Sequence, residues 1–347
     1  MSHASKWTQW AEQGRPQEGT PLPAPPPPRA IREEARRRSR SRSQRLGGLA
    51  VAAAVVVALL PRHQGLSLEQ RVDRASTWLL AQQHSDGSWS AGTTARRFPA
   101  HQVGVTSLAV LGLLENTTPS TEAVQSARRG LAWILSHQNS DGSFAPPGPD
   151  RLTVHGMATR ALALARNQGV LPPGHEAAVN QAEQFLARSQ RPEGGWGYDV
   201  SADGFAYHDT PAITSASVWP IRALALDPHF KKAYTRSLDW IAAQRTANGG
   251  FRYRAHQAPT DGATLMSALC LHEAGRLPAP SPPPADVPKS DLYLGYFHAA
   301  RGGDTDYKNT LANRQLDDGS WPTDDRWSTP GGPVYTTAMA LLSLASD

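Results

Sequence analysis

DGSW at residues 86–89 closes a helical run, ASTWLLAQQ, and the chain returns to that ending as DGSF at 141–144, EGGW at 193–196, NGGF at 248–251 and DGSW at 318–321. The later copies follow GLAWILSHQ, AEQFLARSQ, SLDWIAAQ and NTLANRQ, and each run ends on a glutamine: Gln83, Gln138, Gln190, Gln244 and Gln315. The first motif positions, 86, 141, 193, 248 and 318, lie 55, 52, 55 and 70 residues apart. A recurrence of that length marks one supersecondary unit used many times.

The chemistry of the tetrapeptide is that of a helix exit. A glycine after Asp or Asn accepts positive φ without a Cβ clash, so the chain can reverse. The aromatic two positions after that glycine then folds back over the helix end. The glutamine amide, both donor and acceptor, can bridge backbone groups that neighbouring helices leave unsatisfied. A second, more evenly apolar segment follows each exit, as in HQVGVTSLAVLGLLEN, VHGMATRALALARNQG, TPAITSASVWPIRALAL, DGATLMSALCLHEAG and VYTTAMALLSLA. Such segments suit helices packed on two sides. The pattern predicts an all-α fold, a curved or closed array of about five to six helical hairpins. The proline-rich LPAPSPPPADVP at 277–288 lengthens the fourth interval and reads as an exposed linker.

Charge is unevenly spread. Residues 1–62 carry 11 Lys/Arg against 4 Asp/Glu, leaving 24 against 26 for the rest, so the basic excess belongs to the tail. The predicted folded part has no field that would draw nucleic acid. The single cysteine, Cys270, rules out an internal disulfide framework and sits in the apolar run LMSALC as a small buried hydrophobe.

The first residues divide into a Pro/Arg-rich tail (1–45), expected to be disordered, and an apolar segment at 46–62. Its uncharged run, LGGLAVAAAVVVALL, has 15 residues. That is short against the roughly 20 of a span, yet no small-x-small cleavage site follows, and Arg45 can snorkel. It reads as a retained transmembrane signal-anchor. The arginine cluster before it puts the N-terminus in the cytoplasm and residues 66–347 in the periplasm or otherwise outside a bacterial inner membrane, as a single-pass protein.

The pattern Q-x-x-D-G-S-W resembles the QW motif of squalene and oxidosqualene cyclases, shared in weaker form by the β subunits of protein prenyltransferases. The resemblance covers residues 66–346 and implies an α/α-toroid with a central cavity. VHGMATRALALA, GGWGYDVSADGFAYHDTPAITSASVW and DLYLGYFHAARGG are similar, block by block, to bacterial prenyltransferase and squalene oxidase repeat proteins.

The resemblance also frames the chemistry. Cyclases of the squalene-hopene type protonate an alkene with an Asp-x-Asp-Asp-Thr-Ala motif, whose counterpart here is YHDTPA at 207–212. It keeps Asp209, but Phe205 and His208 occupy the other aspartate positions. A lone carboxylate beside a histidine is ionised and protonates alkenes poorly. The zinc-binding Asp-x-Cys pair of the prenyltransferases is Ala268-x-Cys270 here, so neither a metal ion nor another cofactor is expected. Asp317-Asp318 and Asp324-Asp325 lack the third residue of an Asp-Asp-x-x-Asp motif.

What remains is polar residues at the starts of the second helices: His101, Gln102 and Thr106, His155 and Thr159, Tyr207, His208, Asp209 and Thr214, Asp261 and Thr264, Tyr335 and Thr336. As structure, Asp209 and Asp261 are N-caps and the threonines satisfy backbone groups. As function, His208 and Asp209 are the catalytic candidates, with His155, Tyr207, Trp219, Asp261 and Tyr335 as ligand-binding candidates. Trp219 stands beside Pro220, which bends its helix, and can line a cavity or fill the bend. The expected function is a membrane-anchored, non-catalytic domain that binds a ligand or protein partner. The alternative is an isoprenoid-handling enzyme, cyclase- or transferase-like, or a lipid carrier, with an isoprenoid or other apolar ligand in the central cavity.

Overall fold

The computed structural model describes residues 65–92, 99–116, 118–145, 151–198, 211–277, 291–300, 304–325 and 327–345. The tail, the apolar segment at 46–62, Tyr207, His208 and Asp209 lie outside them, as does nearly all of the proline-rich insertion. The described residues contain eleven α-helices and no β-strand, only two isolated bridges. None of these helices is long and apolar enough to cross a membrane.

The helices alternate in character. Outer helices α1 (Leu68–Ala81), α3 (Thr121–Ser136), α5 (Glu176–Arg188), α7 (Lys231–Ala243) and α10 (Thr305–Ala312) each bury one stripe and expose the other face to water. Inner helices α2 (Pro99–Leu114), α4 (Arg151–Asn167), α6 (Thr214–Leu224), α8 (Asp261–Glu273), α9 (Leu292–Ala299) and α11 (Ser328–Ala345) are apolar on nearly all sides and mostly buried. Each inner helix packs on the next in chain order, and α11 returns to α2, so the inner ring is closed. Helix α11 is broken at Gly332 (φ +67°), whose backbone lies against Gly92, and Pro333 restarts it.

The repeated tetrapeptide is the joint that holds the two rings together. All five motif glycines, Gly87, Gly142, Gly194, Gly249 and Gly319, have positive φ, between +84° and +113°. Asp86, Asp141 and Asp318 each accept from the backbone N–H two residues on, at 2.9 Å. The tryptophans fold back: indole Nε1 of Trp89, Trp196 and Trp321 donates to the carbonyls of Leu79, Leu186 and Leu311 at 2.8–2.9 Å. Each of these rings is at most 1% exposed and contributes about 2–3 kcal/mol by burial.

The glutamine does the stapling. Nε2 of Gln83 donates to Gly87 O (2.8 Å) in its own joint and to Ser126 O (2.9 Å) in the next outer helix. Gln138 joins Gly142 O and Ala178 O, and Gln190 joins Gly194 O and Ala233 O, in the same way. Gln315 reaches Gly319 O and then Arg71 O in α1, at 3.0 and 2.8 Å. The last joint is therefore fastened to the first helix, with Arg71 Nη1 on Ala312 O (2.7 Å) and Trp78 Nε1 on Asp318 (3.1 Å) alongside. The fourth joint differs. Among the described residues no outer helix stands between α8 and α9, so Gln244 turns back to Trp240 O, and Gly249 has nothing within 4 Å.

At the C-terminal end of the inner helices a buried ionic network ties the ring. Arg160 donates to Glu115 (2.7 Å) and to Arg222 O (3.0 Å), while Arg222 forks onto Glu273 and reaches the Tyr296 hydroxyl. Burial alone would raise the Glu273 pKa, but the charges of Arg222 and Arg160 outweigh it and hold the carboxyl below its usual range.

Gly142 and Gly249 share nearly the same φ (+84° and +87°), but a Cβ at Gly142 would stand 2.7 Å from Gln181 O, whereas Gly249 has open space. Gly249→Ala should cost about 1 kcal/mol for the left-handed backbone alone. Gly142→Ala should cost a further ~2 kcal/mol because backbone must give way. Denaturant unfolding of the two variants checks the difference.

Candidate functional site: an apolar cavity at the inner-helix N-termini

The first turns of the inner helices do not meet at the ring axis, and a cavity of about 340 Å³ opens between them. Helix α2 supplies His101, Gly104, Val105 and Leu108, and α4 supplies Thr153, Val154 and Met157. The opposite wall is Tyr293 of α9 with Pro330, Gly331 and Tyr335 of α11, and Trp327 stands 46% exposed. Tyr198 and Ser215 complete the lining. The surface is largely apolar with a few hydroxyls, the usual composition of a small-molecule site.

Those hydroxyls are organised. Ser215 Oγ lies 2.9 Å from the Tyr198 hydroxyl and 2.7 Å from that of Tyr253, and the two phenols contact each other, closing a triangle. The indole of Trp219 donates to the Tyr293 oxygen at 3.0 Å and stacks on Tyr296 with centroids 5.9 Å apart. Tyr335 is 5% exposed, and its hydroxyl makes no well-aligned hydrogen bond. Behind it stands Asp325, 4% exposed, which accepts from the backbone N–H of Leu292 (2.7 Å) and Trp327 (2.6 Å). Burial and the neighbouring Asp291 push the Asp325 carboxyl up, and burial with Asp325 does the same to the Tyr335 phenol.

The structure places the residues singled out by sequence in different surroundings. Tyr335 lines the cavity. Trp219 is wholly buried one layer behind, where it holds Tyr293 rather than touching the cavity. Asp261 is exposed at the first position of α8, and its expected capping role belongs to Thr260, whose side chain accepts from Ala263 N–H at 3.2 Å. Both residue types cap well, and the extended backbone falls at 260. Tyr207, His208 and Asp209 lie outside the described residues.

His155 occupies a joint. The backbone N–H of Phe144 donates to its Nδ1 at 3.2 Å, so the other nitrogen carries the proton and donates to Ala182 O at 3.1 Å. The ring lies between Phe144 and Phe185. Thr106, Ser217, Thr264 and Thr337 accept the corresponding aromatic N–H in the other joints, at 2.8–3.3 Å. Gln102 donates to Ser88, and Thr159, Thr214 and Thr336 donate to His155 O, Arg252 O and Trp321 O. Sequence reasoning passed over Tyr198, Ser215, Tyr253 and Tyr293. Ser215 and Tyr293 each stand in the first turn of an inner helix, the position that singled out the others.

A larger depression of about 480 Å³ lies around Arg166, Gln184 and His229. Its charges are already paired, Arg166 with Glu183 and Asp227, and Asp227 with His229, which makes the central cavity the better candidate. Cys270 is 1% exposed, and burial raises its thiol pKa. Among the described residues no three His, Cys, Asp or Glu side chains are placed to hold a metal ion.

Comparison with known proteins bears on this geometry. The prenyltransferase alpha-alpha toroid domain matches residues 51–262 and 207–281. Drimenyl diphosphate synthase of Streptantibioticus cattleyicolor is 28% identical over 189 residues, covering 53% of this chain and 32% of the relative, so the chain spans about a third of its length. A type II terpene cyclase from Scytonema, solved with merosterolic acid A, matches with TM-score 0.53 and 16% identity over 80% of this chain and 96% of that one. A glycosidase matches with TM-score 0.52 and 16% identity, over 81% and 98%. These structural likenesses establish the fold, which hosts more than one chemistry.

Burial pushes the pKa of His155 down to about 3 from 6.5. The folded ring stays neutral while an unfolded one takes up a proton, so stability is lost as pH falls below 6.5, by about 1.4 kcal/mol per pH unit until the folded pKa is reached. His155→Thr, restoring the residue of three other joints, should flatten that acid limb between pH 6 and pH 4, read by urea unfolding across the range.

Proposed function

The chain belongs to the prenyltransferase α/α-toroid family, and on that premise we propose that its toroid binds an isoprenoid or similar apolar ligand in the cavity at the inner-helix N-termini. The observation that carries this reading is the cavity itself, about 340 Å³ walled by Val105, Leu108, Val154 and Met157. A domain serving only as a protein scaffold has no need to keep such a space unfilled, since close packing of the centre would stabilise it. Binding, with the ligand held or carried, is the function proposed.

Cyclisation of the same ligand is the second reading, favoured by similarity to a drimenyl diphosphate synthase and by a fold shared with a type II terpene cyclase. Its chemistry would fall to His208 and Asp209. Among the described lining residues none is a carboxylate, and an ionised Asp209 is a weak acid for an alkene. Binding is therefore placed first.

The proposal includes the N-terminal arrangement: residues 1–45 as a cytoplasmic tail, 46–62 as a single-pass anchor, and 66–347 as the toroid outside the inner membrane, beside the bilayer in which its ligand dissolves. The 15-residue apolar run and the arginines preceding it support that placement. The full chain should stay with membranes through alkaline carbonate washing, and protease added outside spheroplasts should remove the toroid. Release into the wash, or full protection, contradicts it.

Organic extraction of the purified protein followed by mass spectrometry should yield about one apolar ligand per chain. Leu108→Trp, which fills the cavity from α2, should reduce the yield at least fivefold with helix content unchanged. A clean extract from protein refolded with candidate lipids would refute the binding reading.

A further inference from the structure

We propose that the polar end of the cavity selects a neutral oxygen on its ligand, an alcohol or a carbonyl, and disfavours a diphosphate or carboxylate. This deepens the proposed function and rests on the cavity being the ligand site.

The donors come first. Tyr335 is 5% exposed, and its hydroxyl, although the Asp325 carboxylate acts on it from behind, makes no well-aligned hydrogen bond. A buried donor left unmade is costly, and an oxygen arriving in the cavity would satisfy it. Tyr293 is similar in effect: its oxygen accepts the indole N–H of Trp219 at 3.0 Å, which leaves the phenol proton to be given elsewhere. Both phenols are on the cavity wall. Ser215, hydrogen-bonded to Tyr198 and Tyr253 on the same wall, adds hydroxyl oxygens that can accept. A ligand alcohol, which both donates and accepts, matches this mixture. A hydrocarbon offers the two phenols no acceptor.

Charge decides between neutral and anionic heads. None of the described lining residues is a lysine or arginine. Arg160 and Arg222 belong to the far end of the ring and are committed to Glu115 and Glu273. The helix N-termini around the cavity would by themselves attract an anion. Two of them, however, already carry resident carboxylates: Asp325 accepts from Leu292 and Trp327 N–H at the starts of α9 and α11, and Asp291 accepts from Leu294 N–H at 3.0 Å. Both aspartates are buried, 4% and 7% exposed, and Asp325 stands directly behind the Tyr335 phenol. An incoming diphosphate would meet like charge here and find no lysine or arginine among these lining residues to offset it.

The test uses full-length protein in detergent, titrated with farnesol, farnesyl diphosphate and the corresponding hydrocarbon, and read by tryptophan fluorescence. Farnesol should bind at least tenfold more tightly than either of the others. Tyr335→Phe, which removes only the hydroxyl, should erase most of the advantage of the alcohol over the hydrocarbon while leaving hydrocarbon binding unchanged. Equal or tighter binding of the diphosphate overturns the head-group selection alone, because the cavity would still be the site. Equal weakening of all three by Tyr335→Phe also overturns it, since the hydroxyl would then be a packing element. If none of the three binds, the selection fails together with the cavity reading beneath it.

Discussion

A glutamine amide that spans from its own helix exit to the carbonyl of the next outer helix is the interaction on which the toroid depends. Each such bond is worth only about 1 kcal/mol net. Its importance is positional: it fixes where one hairpin ends and the next begins, and the motif glycine allows the contact by bringing backbone within the reach of a missing Cβ. At Gly87, Gly142, Gly194 and Gly319 that Cβ would lie 2.5–2.7 Å from a carbonyl oxygen of the neighbouring helix. With hairpins held at a constant offset, the chain curves until Gln315 finds Arg71 O and the ring is complete.

Ring closure gives the inner helices a common direction, and that direction separates structure from function. At their C-terminal ends long charged side chains pair between adjacent inner helices and neutralise one another, with Arg222 on Glu273 and Arg160 on Glu115. At their N-terminal ends small and β-branched residues, Gly104, Val105 and Val154 among them, do not reach across, and a cavity is left. One end is thus closed by ionic pairs that would be costly to separate. The other is open, apolar and edged with phenols. Trp219, buried and bonded to Tyr293, conveys the packing of the ring to the wall of that cavity.

The joints were legible in the sequence because their requirements are local: positive φ after Asp or Asn, an aromatic to cover the exit, and an amide with a donor and an acceptor. The closing contact was not, because which carbonyl Gln315 meets depends on the accumulated turn of the whole ring, 244 residues away in sequence. His155 was read as a ligand candidate for a related reason. The acceptor for each joint aromatic lies 11 to 21 residues downstream, a spacing set by loops of unequal length, so its equivalence to Thr106 and Thr264 emerges only when the helices are in place. Tyr335 could be singled out from its place at the start of an inner helix, while Tyr198 and Tyr253 belong to connecting segments whose course no periodicity gives.

Hydrogen exchange of the backbone amides, read peptide by peptide, tests the central claim that the ring is closed through its last joint. A closed ring unfolds as one unit, so α1 and α10 should show the same protection, set by global unfolding, as the interior outer helices α3 and α5. Exchange in α1 and α10 that is orders of magnitude faster, with α3 and α5 still protected, would mean that the terminal hairpins fray independently and that the array is open.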